Sequence, residues 1–169
     1  MIEQEVLRIC ADDLTQLSGR IQDCLGRLTA DQVWLRQSEN ENAIGNLVLH
    51  LCGNMNQWIG TGLAGRPDTR QRDKEFAARG DVSPKELSDK LAATIADVTS
   101  IIRSFPQARL MEKTTIQNYN VTLVEVIVHV LEHFAQHTAQ IIFATKLLTG
   151  QDLGYYKHLN QPKHKETTP

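Results

Sequence analysis

His133 and His137 stand four residues apart inside the apolar run 123–148, and His50 stands inside a second apolar run. An α-helix stacks positions i and i+4 one turn apart on one face. Two imidazoles at that spacing can share one metal ion. Neutral imidazole suits zinc, nickel, iron or copper. The competing reading is a pair of ordinary core histidines, in which each uncharged ring needs its own hydrogen bond to offset its lost hydration. On a helical wheel of about 100° per residue, Leu123, Val126, Val130, Phe134, Ile141 and Leu148 fall within an arc of about 80°. His137 lies inside that arc and His133 at its edge, so both rings point toward the interior. His129 lies further off the arc and reads as an ordinary helix histidine. His50 lies about 60° beyond the edge of its own stripe, beside Asn54, and can turn from there into the seam between two helices. One histidine from one helix and two from another would offer three facial nitrogens. Such a set leaves coordination positions open, as catalytic rather than structural sites do.

Four helices position these side chains. The first is predicted over 3–28, where Val6, Ile9, Leu14, Leu17, Ile21, Cys24 and Leu28 recur at mostly three- and four-residue steps. The second runs over 43–59, with Asn42 as its N-cap and Ile44, Leu47, Val48, Leu51, Met55, Trp58 and Ile59 as its stripe. Gly60, Gly62 and Gly65 end it, and a charged loop follows over 66–82. The third opens with Ser83-Pro84-Lys85-Glu86, a capping box with proline in the first turn, and stops at Pro106. The fourth opens with a second capping box, Thr122 to Glu125, and ends near Gly150. No segment shows sustained strand alternation. The pattern implies an all-α protein, a four-helix bundle with long connecting loops, forming a single domain over 1–160 and a flexible polar tail over 161–169.

Composition narrows the function. The chain has 169 residues, 22% charged and 41% hydrophobic, with a net charge of −2 and no strongly basic segment. A broad phosphate-binding surface is therefore not expected, and 5% aromatic content argues against a single-strand stacking platform. No nucleic-acid partner is expected. The three cysteines, Cys10, Cys24 and Cys52, are scattered and odd in number, which reads as a reduced, intracellular protein. No secretory signal is visible and no apolar run reaches about 18 residues, so a cytoplasmic protein with no membrane span is expected.

Other residues carry two readings each. Gln140, three residues after His137, and Asn54, one turn after His50, could each orient a ligand or a bound water, or could fill a helix seam. Segment 70–76 holds Arg70, Arg72, Asp73 and Glu75. It reads either as a lid with an acid and arginines for an anionic substrate, or, more simply, as an ion-paired loop with Phe76 anchored on the bundle. Cys52 lies about 200° around the helix from His50 and reads as packing rather than as a ligand. Trp34 and Trp58 read as core or interface residues.

Two segments resemble a known family: Asn42-Ala43-Ile44-Gly45-Asn46-Leu47-Val48-Leu49-His50-Leu51, and Glu132-His133-Phe134-Ala135-Gln136-His137-Thr138-Ala139-Gln140-Ile141. In order and spacing they are similar to the DinB-like superfamily of metal-binding four-helix bundles, the damage-inducible, YfiT-type bacterial proteins. Segment 70–76 and the ending 150–156 look like an uncharacterised branch of it. Ala139 stands where the family often has glycine. The resemblance implies a divalent metal, zinc or nickel first and iron next, held by His50, His133 and His137, and it implies a homodimer. It further implies a metal-dependent enzyme of thiol S-transferase type acting on small molecules. A metal-dependent hydrolase and a non-catalytic, stress-related metal-binding module are the alternatives.

Overall fold

The computed structural model describes residues 2–160, so the tail expected over 161–169 lies outside the described residues. Six helices follow in chain order: α1 (Ile2–Arg27), α2 (Ala30–Val33), α3 (Ile44–Met55), α4 (Arg72–Ala77), α5 (Pro84–Ser104) and α6 (Leu123–Thr149). The all-α class holds.

The capping boxes fix two helix starts. Ser83 Oγ accepts from the Glu86 amide at 3.2 Å, and the Ser83 amide donates back to Glu86 Oε2 at 2.8 Å. Thr122 and Glu125 do the same for α6 at 3.3 and 2.6 Å. Gly150 closes α6 at φ +65°, a conformation that glycine adopts without a Cβ clash. The start of α3 differs from expectation: Ala43, not Asn42, is its N-cap. An alanine has no capping oxygen, and Asn46 Oδ1 reaches back instead to accept from the Ala43 amide at 3.2 Å.

Long apolar stripes assemble the bundle. α1 packs on α5 and α6, and α3 packs on the same two helices, which leaves α1 and α3 at opposite corners. Leu14, Ile21, Leu51, Met55, Leu91, Val98, Val130, Phe134 and Ile141 fill the interior. Burial of such side chains supplies about 1.5–3 kcal/mol each before chain entropy is subtracted. Ile9, which spacing places on the α1 stripe, is exposed instead. Among the described residues no helix is long and apolar enough to cross a membrane.

Two features depart from a plain bundle. Beyond Met55 the second long helix widens into a π-helical turn, Asn56–Thr61, in which the Gly62 amide donates to the Gln57 carbonyl five residues back. Between α5 and α6 the chain forms a hairpin, β1 (Lys113–Ile116) and β2 (Tyr119–Thr122), where no strand was expected. Its two turn residues, Gln117 and Asn118, both have positive φ, the requirement of a two-residue hairpin turn whose twist matches the strands. Four-residue strands are too short for alternation to register. The remaining signal was the β-favouring content of Thr114, Thr115, Ile116, Tyr119, Val121 and Thr122.

Candidate metal centre

The bundle brings His50 of α3 against His133 and His137 of α6. His133 Nε2 lies 3.1 Å from His50 Nε2 and 3.1 Å from His137 Nε2. One ring nitrogen from each of the three lies within 4.8 Å of the others, so the group could hold a metal ion. His50 is buried and the other two are half-buried. The offset of His50 from its stripe is what aims it into the α3–α6 seam.

Hydrogen bonds on the far side of two rings decide which nitrogens carry protons. His50 Nδ1 lies 3.0 Å from Glu75 Oε2, and His137 Nδ1 lies 2.7 Å from Gln140 Oε1. Carboxylate and amide oxygens accept, so both Nδ1 atoms donate, and both Nε2 atoms are bare lone pairs in the neutral rings. These two lone pairs face the same third nitrogen. His133 Nε2 has at most one proton to donate, which leaves at least one of the two lone pairs without a donor. A cation takes that place, and the donor set fits one. With Nε2 bare, His133 must carry its proton on Nδ1, a buried atom without a hydrogen-bond partner. Burial and the neighbouring His137, His50, His129 and Arg70 push the His133 pKa down to about 3, so its ring stays neutral. Burial also lowers His137, opposed by its bond to Gln140.

The loop after the π-turn supports His50. Arg70 Nε and Nη2 donate to the two oxygens of Glu75, each at 2.8 Å. The Arg70 side chain is 4% exposed and that of Glu75 is 11% exposed, which makes this a largely desolvated pair. Burial pushes the Glu75 carboxyl up, but the bonds from Arg70 and His50 outweigh it and hold the pKa below the ordinary range. Arg70 Nη2 also lies 3.0 Å from His50 Nδ1, but the carboxylate is its acceptor because Nδ1 is itself a donor. Such a carboxylate behind a histidine fixes its tautomer and orientation toward a metal.

Three positions in α3 and the π-turn make room for this loop and pin it. A Cβ on Gly53 would sit 1.9 Å from Glu75 Oε1, so only glycine lets the carboxylate lie against the helix. Asn46 is fully buried, and its Nδ2 donates to the carbonyls of Glu75 and Ala78 at 2.8 and 3.1 Å. Gln57 Oε1 accepts from Arg70 Nη1 at 2.9 Å and from Gln117 Nε2 at 2.7 Å, while its own Nε2 donates to Asp68 at 2.7 Å. One amide thus joins the π-turn, the loop and the hairpin tip.

Among the residues singled out from sequence, the structure brings together His50, His133, His137 and Gln140. Asn54 is buried, but its Oδ1 makes no hydrogen bond, so it orients none of the three rings. Segment 70–76 is the ion-paired loop, and it packs on His50, with the Phe76 ring 4.7 Å from that of His50. Asp73 is exposed. Cys52 is fully buried, and burial pushes its thiol up to about 11, consistent with packing. His129 stands outside the group, its ring 3.9 Å from that of Trp58. Sequence reasoning missed the pairing of Glu75 with His50. A glycine three residues after His50, in mid-helix with no turn to serve, was the available signal.

The family described as "Protein of unknown function (DUF1572)" matches residues 2–165. No curated protein matches the chain. Among solved structures, the crystal structure of a conserved protein from Enterococcus faecalis is similar, at TM-score 0.71 and 17% identity, covering 85% of this chain and 97% of that one. That likeness concerns the fold alone.

Proposed function

We propose that this chain, which belongs to the DUF1572 family of proteins of unknown function, uses His50, His133 and His137 to hold a divalent metal ion, zinc or nickel first, and acts as a metal-dependent S-transferase for small molecules. The observation that carries the reading is the convergence of three Nε2 atoms, two of them stripped of protons by Glu75 and Gln140. The resemblance of the two histidine segments to DinB-like proteins supports the same ligand set. Three protein nitrogens leave positions open, and a cavity adjoins His50 and His133. Metal bound there would supply Lewis acidity, lowering the pKa of a thiol or a water so that it attacks near neutral pH.

The protein's own groups favour the thiol over the water. Hydrolysis needs, besides the metal-bound hydroxide, a free acid–base group beside the metal to orient that water and return a proton to the leaving group. Glu75 is committed to Arg70 and His50, and Asp73 is exposed. A thiol needs only to lose its proton. The same reading includes a homodimer, for which exposed Phe143 and Leu147 of α6 beside Leu35 offer an apolar face.

The test is metal analysis of the purified protein followed by a thiol-conjugation screen. Stoichiometric metal and turnover that both disappear in His133→Ala support the reading. Loss of metal in that variant with unchanged turnover refutes it, and turnover without added thiol transfers the assignment to a hydrolase.

A further inference from the structure

A cavity of about 480 Å³ lies between the histidine cluster and the hairpin. Its floor is His50 and His133, and its walls include Trp58, Tyr119, Asn54 and Arg72. Five buried side-chain nitrogen or oxygen atoms lack a hydrogen-bond partner among the described residues, and three of them belong to this lining: Asn54 Oδ1, Trp58 Nε1 and His133 Nδ1. All three atoms are sealed beneath the cavity surface, so they belong to its polar floor and make no contact with an occupant.

The charges in the cavity select its sign. Arg70 is neutralised by Glu75 behind the lining, and Glu125, the one acid in the lining, stays charged but is held at the start of α6 by the amide and hydroxyl of Thr122. Arg72 is different: it is exposed, and among the described residues it has no carboxylate partner. Its guanidinium stacks 4.8 Å from the centre of the Phe76 ring, which itself lies 4.7 Å from the His50 ring. That stacking holds the fork at a fixed station, two short steps from the converging nitrogens. A planar guanidinium with its fork free is built for a carboxylate.

The walls select the shape. Trp58 and Tyr119 lie with ring centres 6.5 Å apart at 33°, and the His129 ring covers Trp58. Aromatic faces prefer a flat, polarisable partner. We propose that this cavity binds a small aromatic carboxylate, with its carboxylate on Arg72, its ring on the exposed Tyr119 beside the buried Trp58, and its opposite end presented to His50 and His133. The last contact rests on the metal reading; the first two do not.

Benzoate, titrated calorimetrically into the full chain with and without zinc, tests the proposal. Benzoate is expected to bind both forms. Benzamide, which lacks the charge, and cyclohexanecarboxylate, which lacks the flat ring, should each bind about tenfold more weakly. Arg72→Gln should weaken benzoate by a similar factor and abolish its advantage over benzamide, while Tyr119→Ala should abolish its advantage over cyclohexanecarboxylate. Both positions are exposed, and unchanged melting curves would show that the variants fold. No benzoate binding, or equal binding by Arg72→Gln, overturns the proposal. Adding 4-mercaptobenzoate separates the two readings. If it gains nothing from zinc while benzoate keeps its dependence on Arg72 and Tyr119, the cavity assignment stands and the metal assignment fails.

Discussion

Replacing Gly53 with alanine should stabilise the helix it sits in and damage the site it faces. The added Cβ would lie 1.9 Å from Glu75 Oε1, 2.7 Å from Glu75 Cδ and 3.0 Å from Arg70 Nε. No carboxylate tolerates the first two distances, so Glu75 must swing away from α3, giving up His50 and at least part of its bond to Arg70. Two terms then compete. Alanine in place of glycine in a helix interior contributes about 1 kcal/mol to stability. Separating a largely buried ion pair costs about 3–5 kcal/mol when one charge is left without compensation. Arg70 keeps Gln57 and Glu75 can turn to solvent, so the expected net loss is nearer ~1 kcal/mol. The larger effect falls on metal binding. Losing the carboxylate behind a metal-binding histidine typically weakens affinity by about 10–100-fold, or about 1.4–2.7 kcal/mol. Competition against a chromophoric chelator measures the zinc affinity, and melting curves of the chelated protein measure stability. A double-mutant cycle with Glu75→Ala assigns the cause. If Glu75 is the agent, Gly53→Ala has almost no further effect on affinity once Glu75 is gone. Wild-type zinc affinity in Gly53→Ala, or full additivity in the double variant, refutes the argument.

Other expected outcomes follow from the same geometry. Zinc at about 100 times its dissociation constant should stabilise the folded state by about 2.7 kcal/mol, seen as a rise in melting temperature that chelator reverses and that His137→Ala lacks. The metal-free protein should lose stability as pH falls from about 6.5 toward 3. His133 has a folded pKa of about 3 against an ordinary 6.5, so the unfolded chain binds more protons throughout that window. His137, lowered by burial, and Glu75, held below the ordinary carboxylate range, act in the same direction. The slope is bounded at about 1.4 kcal/mol per pH unit for each group, and solvent at the half-buried rings reduces it. Melting temperatures of the chelated protein between pH 7 and 5 check this, and a flat profile contradicts it. Phe143→Glu should shift a dimer to monomer in light scattering without altering zinc content, because Phe143 is exposed and lies two turns beyond the site.

What was legible in the sequence was local. The His133–His137 spacing, the capping boxes at Ser83 and Thr122 and the stop at Gly150 each depend on a few neighbouring residues, and a helix converts such spacing directly into geometry. The approach of His50 was not local. Its wheel position put it outside the stripe, and only the placement of α3 against α6 makes that offset useful. Glu75 was harder still, since its bond to His50 spans 25 positions through a loop whose path depends on Asn46 and Gly53. The hairpin escaped because its strands are short and its turn is Gln117-Asn118 rather than a glycine-containing pair.

Gln57 places a constraint on how this sequence can drift. Its single amide serves Arg70, Gln117 and Asp68 at once, so its carbonyl and amino ends are both spent. A change at any one of these positions strands a polar group on the other segments. Glutamate at 57 would keep the arginine but set a negative charge against Asp68. Among relatives that retain the three histidines, positions 57, 68, 70 and 117 should therefore change together or not at all, while the exposed strand positions 115 and 120 of the hairpin wander freely.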